Sequence, residues 1–125
     1  MIINERQEKD ALVLSIKGRL DADTAAAFTS KISALISSGS MHFVVDLGNL
    51  HFLNSSGLSA LVSTLRLAID AGGDMKIANL KPEMKSLFAM TRLNTIFEIH
   101  ETTQKALDAF KQAPASSRKV SATPA

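Results

Sequence analysis

The chain has 125 residues, 46% of them apolar and 21% charged, with 14 Lys and Arg, 12 Asp and Glu, and no cysteine. That is the size of one ordinary domain, and it excludes disulfide staples and cysteine-based zinc sites. Of the 14 bases, Lys111, Arg118 and Lys119 fall in residues 111–125 without any acid, so residues 1–110 hold 11 bases against 12 acids, a net −1.

The basic character therefore belongs to the C-terminal end, and three charges without interleaved aromatic residues give no basis for nucleic-acid binding. No apolar stretch nears the ~20 residues of a membrane span, so no direct membrane insertion is expected. No basic-then-apolar leader opens the chain, and the expected setting is the cytoplasm.

In chain order, Ile2 and Ile3 begin a short strand, residues 7–10 make a polar turn, and residues 11–17 (ALVLSIK) suit a buried strand, giving a hairpin. Gly18 ends it. Asp21 or Asp23 can cap a helix whose apolar residues Phe28, Ile32, Leu35 and Ile36 recur at helical spacing, with Gly39 as its C-terminal glycine. Residues 43–47 (FVVDL) read as a short strand, followed by turn residues Gly48 and Asn49 and an apolar approach at 50–53.

The period then changes. Asn54, Ser55, Ser56 and Gly57 introduce the stripe Leu58, Leu61, Val62, Leu65 and Ala68 or Ile69, which stops at Gly72 and Gly73. A strand is predicted at 75–78 and a third helix from Pro82 with Met84, Leu87 and Phe88. An edge strand at 96–99 and a last helix carrying Ala106, Leu107 and Phe110 complete the pattern.

Residues 113–125 contain one large aliphatic residue and two prolines, too little apolar surface to offset the entropy of ordering them, and read as a disordered basic tail. The folded unit is residues 1–112. A hairpin followed by alternating helices and strands predicts an α/β fold, a mixed sheet of four to five strands packed against about four helices, with the later strands parallel.

Catalytic signatures are missing. There is no G-x-G-x-x-G, no phosphate-loop G-x-x-x-x-G-K-[ST] and no G-x-S-x-G, and the glycines at 72 and 73 follow a helix rather than precede one. His42, His51 and His100 have no ligand spacing, and the carboxylates form no evident acid and base pair. Neither an enzyme nor a resident cofactor or metal is expected.

The segment that stands out is Asn54-Ser55-Ser56-Gly57. Asn or Ser at an N-cap accepts a bond from an unpaired N–H, worth about 1 kcal/mol, and capping alone accounts for much of the composition. Gly57 is less expected, because glycine in the first helical turn costs up to ~1 kcal/mol relative to Ala; a partner or phosphate close to the backbone would need that space. A helix start also favours anions, so a phosphoserine here could form without melting the helix while adding about −1.5 to −2 charges.

Four segments together resemble the STAS domains of bacterial anti-sigma factor antagonists. VVDLGNLHFLNSSGL (44–58) is similar to their strand and D-S-S-G-L signature, GRLDADTA (18–25) to their G-x-L-D-x-x-T-A, GGDM (72–75) to their glycine turn, and PEMKSLFAM (82–90) to their P-x-[apolar]-[K/R] helix. The resemblance spans about residues 1–110.

It implies a protein-binding switch with no cofactor of its own. Ser56 would be the phosphoacceptor, with Ser55 the less favoured neighbour, and Asp21, Asn54, Ser55, Ser56, Gly57 and Leu58 would meet the partner. That partner would be an anti-sigma factor with serine kinase activity, sequestered by the unphosphorylated form, and a metal-dependent serine phosphatase would reverse the modification. The family's acidic residue before the serine pair is Asn54 here. That departure keeps open an alternative, a constitutive STAS subunit of a transporter or signalling scaffold without phosphorylation.

Overall fold

The computed structural model describes residues 1–112; residues 113–125, read above as the tail, lie outside them. The expected hairpin is β1 (Ile2–Gln7) antiparallel to β2 (Leu12–Leu20), with Ile2 opposite Lys17 and Gln7 opposite Leu12. β2 then changes partner along its length. Its first half pairs in parallel with β3 (His42–Asp46), and Gly18, Arg19 and Leu20 pair in parallel with β4 (Leu50–Leu53), with a register shift between Gly18 and Arg19. Gly18, at φ 105°, adopts a conformation that a side chain would resist.

β4 appears in the sequence only as an apolar approach, and it raises the strand count among the described residues to six. Four residues with His51 and Phe52 both exposed carry no alternating pattern to mark a strand. The remaining strands, β5 (Asp74–Ala78) and β6 (Ile99–His100), continue the sheet in parallel, in the order β1-β2-β3-β5-β6. The edge strand expected at 96–99 is shorter and later, because Phe97 is buried edge-on against Phe88, with ring centroids 5.9 Å apart. A 3-10 turn at Leu93–Thr95 leads into it.

Because strand side chains alternate between faces, the sheet has two cores. Leu14, Ile16, Phe43, Val45, Met75 and Ile77 meet α1 (Ala25–Ser37), α2 (Ser55–Asp70) and α3 (Pro82–Met90) through Phe28, Ile32, Leu61, Leu65 and Phe88. Each such side chain contributes about 1.5–3 kcal/mol on full burial. Val13, Val44 and Ala78 point the other way and meet Ala106 and Leu107 of α4 (Thr103–Gln112). Pro82 occupies the first turn of α3, as expected.

Asp46 ties the C-terminal edge of the sheet together. Its carboxylate accepts from Ser15 Oγ at 3.2 Å, the Gly48 N–H at 2.9 Å and Asn79 Nδ2 at 2.9 Å, and Asn79 also donates to Thr103 Oγ1 at 3.0 Å. The same end of the sheet carries the serine loop.

Candidate functional site

α2 starts where the sequence indicates. Asn54 is its N-cap in an extended conformation, its Oδ1 accepting from the Gly57 N–H at 3.1 Å and its carbonyl from the Leu58 N–H at 2.9 Å. Ser55 is exposed and Ser56 half-buried on the first turn, at the positive end of a 16-residue helix. Asn54→Ala is expected to cost about 1 kcal/mol through loss of that cap; chemical denaturation measures it, and a neutral result would rule the cap out as a stabilising contact.

Gly57 answers a different need from the one anticipated. A Cβ built on it lies 2.2 Å from the Leu20 carbonyl oxygen and 2.7 Å from Leu53 Cδ1. The space is filled by the protein itself, at the paired strand ends Leu20 and Leu53, rather than left for a ligand. Leu58 turns mainly inward as part of the core, 6% exposed.

Asp21 directly follows Leu20 and is 8% exposed. It is not the cap of α1: that position falls to Thr24, which makes no side-chain cap bond. Instead the Asp21 carboxylate accepts from the Asp23 N–H at 3.0 Å and from Arg19 Nε at 3.0 Å, a short acidic turn that bends the chain from β2 into α1. The Arg19 hydrogen bond holds the Asp21 carboxyl below its ordinary pKa against the opposing effect of burial, with the Asp23 N–H and the Arg19 charge assisting. Arg19 also lies over the Phe52 ring, 4.1 Å from its centroid, so the two loops share a shoulder. Loop support is the role this geometry gives Asp21.

A groove of about 420 Å³ runs away from the serine pair. Ser55, Ser59 and Ser63 recur at one-turn spacing along α2, with Leu58 and Val62 between them, and Thr91 and Leu93 form the opposite wall. The lining offers hydroxyls and apolar surface but no carboxylate or imidazole, so its donor set suits a protein or polar organic contact better than a metal. The sequence reading did not single out Ser59, Ser63 or Thr91; the hydroxyls at i, i+4 and i+8 were the available signal.

The family model for the STAS domain matches residues 3–106. The chain belongs to the STAS family. Among curated relatives, it is similar to an anti-sigma F factor antagonist of Paenibacillus polymyxa, 27% identical over 106 residues that cover 84% of this chain and 91% of the relative. It is also similar to the anti-sigma-B factor antagonist of Bacillus subtilis, 26% identical over 97 residues, 78% of this chain and 88% of the relative.

The same STAS fold appears in an anti-sigma factor antagonist structure from Thermotoga maritima, at TM-score 0.83, 17% identity and coverage of 88% and 95%. SpoIIAA, an anti-sigma factor antagonist, has been solved unphosphorylated, matching at TM-score 0.70, 20% identity and coverage of 90% and 100%. Its phosphorylated Bacillus form matches at 0.66, 22% and coverage of 86% and 98%. A sulfate transporter family protein from Wolinella succinogenes shares the fold at 0.69, 13% identity and coverage of 79% and 83%. The six strands and four helices of the described residues are thus a STAS domain with the serine pair at the head of α2. Among the described residues no helix is long and apolar enough to cross a membrane.

Proposed function

We propose that this STAS domain is an anti-sigma factor antagonist, an adaptor rather than a catalyst, whose hold on its partner is switched by phosphorylation at Ser56. The observation that carries the reading is the placement of Ser56 on the first turn of α2, beside the exposed Ser55 and behind the Asn54 cap. A dianion there is favoured by the helix end and leaves the cap bond to Gly57 in place. The anti-sigma factor antagonists among its relatives support the general role.

The partner would be an anti-sigma factor with serine kinase activity, which brings its own ATP and Mg²⁺. A metal-dependent serine phosphatase would restore the hydroxyl, and the setting would be the cytoplasm. Unphosphorylated, the loop docks and sequesters the kinase, freeing a sigma factor for transcription. Phosphorylated, residues 1–110 move from a net −1 to about −2.5 or −3, and each 1.4 kcal/mol of repulsion or desolvation at the interface weakens binding about tenfold.

Incubating the protein with its kinase and ATP should add one phosphate by intact mass, lost in Ser56→Ala and retained in Ser55→Ala. An unmodified wild type, or full modification of Ser56→Ala, would sink the assignment. Asn54, in place of an acidic residue, favours a second reading as a constitutive transporter or scaffold subunit. Asn54→Asp distinguishes the two. It should speed phosphorylation if the kinase reads a charge beside the acceptor, and leave a constitutive complex unchanged.

A further inference from the structure

The sheet face opposite α1, α2 and α3 is covered, among the described residues, by α4, and that cover rests on few groups. Thr103 hooks its start through Asn79, Ala106 and Leu107 fill the second core, and Phe110 closes its end. Beneath Phe110 lie two basic side chains. Lys76 Nζ sits 4.5 Å from the Phe110 ring centroid on a side chain 2% exposed, and the His42 ring tilts against the same ring at 5.2 Å.

Among the described residues, the charged groups around His42 come from β5, β6 and the hairpin turn. From β5 come Asp74 and Lys76, which are paired at 3.4 Å, and Lys76 also reaches Glu98 at 2.8 Å. Glu98 in turn meets His100 of β6 at 3.3 Å. Lys9 and Asp10 of the hairpin turn line a small pocket with His42. On α4 the residues that meet the sheet or Asn79, Thr103, Ala106, Leu107 and Phe110, are uncharged. Asp108 accepts from Gln104, and Lys105 pairs with Glu101.

His42 Nδ1 is buried and has no hydrogen-bond partner among the described residues. A neutral imidazole tolerates this, because its proton can sit on Nε2 and leave Nδ1 a bare acceptor. A protonated one does not: it puts an N–H on the buried Nδ1 without an acceptor and a second cation beside Lys76 against one aromatic ring.

We propose that α4 is an acid-released clasp, docked across β3 and β5 while His42 is neutral and freed when His42 takes up a proton, uncovering Val44 and Ala78. This rests on the packing beneath α4 and is independent of the role of Ser56.

Burial lowers the His42 pKa below its ordinary 6.5, with attraction from Asp74 opposing and repulsion from Lys76 adding. The sign follows by linkage. An undocked His42 regains its ordinary pKa and binds the proton more tightly, so docking is fully favoured above pH 6.5 and weakens as pH falls through the docked-state value.

Amide hydrogen exchange, corrected for intrinsic rates and referred to Leu61 and Leu65 in α2, reads the clasp. Protection of Ala106, Leu107 and Phe110 should fall as the pH is lowered from above 6.5 to below it, while the α2 amides hold. His42→Gln should lose that dependence and His100→Gln should keep it. A second measurement does not depend on His42→Gln folding: the NMR titration midpoint of His42 should rise toward its ordinary value in Phe110→Ala. Protection of α4 that is insensitive to pH, or a His42 midpoint unmoved by Phe110→Ala, would overturn the proposal.

Discussion

Gly57→Ala is expected to destabilise the protein by more than about 3 kcal/mol, and to abolish phosphorylation and partner binding along with the fold of the loop. Adding one methyl to a helix normally helps by up to ~1 kcal/mol relative to Gly. Here the methyl would sit 2.2 Å from the Leu20 carbonyl oxygen and 2.9 Å from its carbon, both backbone atoms that no rotamer change can move. Either α2 lifts from the end of β2 or the pairing of Leu20 with Leu53 breaks.

Both routes open the core at Leu20, Leu58 and Leu61, which are buried together, and overpacking against backbone lies at the costly end of single substitutions. Equilibrium urea unfolding measures it. A cost under about 1 kcal/mol would mean that the helix start can drift away from β2. Partner binding at full strength in Gly57→Ala would separate the site from this contact.

Gly57 also shows where sequence reading reached and where it stopped. An unexpected glycine in a first helical turn signals that something approaches the backbone, but here that is Leu20 and not the partner or phosphate the sequence suggests. Its identity was not legible, because the approaching atom belongs to a residue 37 positions earlier, brought there by a strand that changes partner midway.

Asp21 has the same history. Its sequence context fits a cap, but the bond from the Asp23 N–H and the ion pair with Arg19 make it a turn residue supporting the loop. Local signals fared better where the interaction itself is local. Gly39 follows α1 at φ 107°, with its N–H on the Ile36 carbonyl and that of Ser40 on Leu35, the αL helix ending read from its position.

The helical stripe of α2 was equally plain, since its buried Leu58, Leu61, Leu65 and Ala68 recur at helical spacing. β4 was not, since two exposed residues in four leave no period to read. The groove escaped for a related reason: one wall comes from α2 and the other from the turn after α3, roughly 30 residues on.

The far end of α2 carries the other large effect. Gly72 and Gly73 read alike in the sequence as a helix stop, yet they do different work. Gly72 supplies the positive φ of 100°, and the N–H groups of Gly72 and Gly73 bond the carbonyls of Ile69 and Ala68, both at 2.9 Å. Gly73 needs no unusual φ; it lacks room.

A Cβ there would lie 1.9 Å from the Met41 carbonyl oxygen and 2.5 Å from its carbon, and that carbonyl also accepts the Asp74 N–H at 3.1 Å. Pushing it away breaks the entry into β5 opposite His42. Gly73→Ala should therefore cost more than about 3 kcal/mol. Gly39→Ala, with positive φ but nothing within 4 Å of the new methyl, should cost only about 1–2 kcal/mol. Urea midpoints of the two variants, compared at equal slope, test the distinction. A loss in Gly73→Ala no larger than that in Gly39→Ala would show that the Met41 carbonyl gives way and that its close approach does not set the requirement for glycine at position 73.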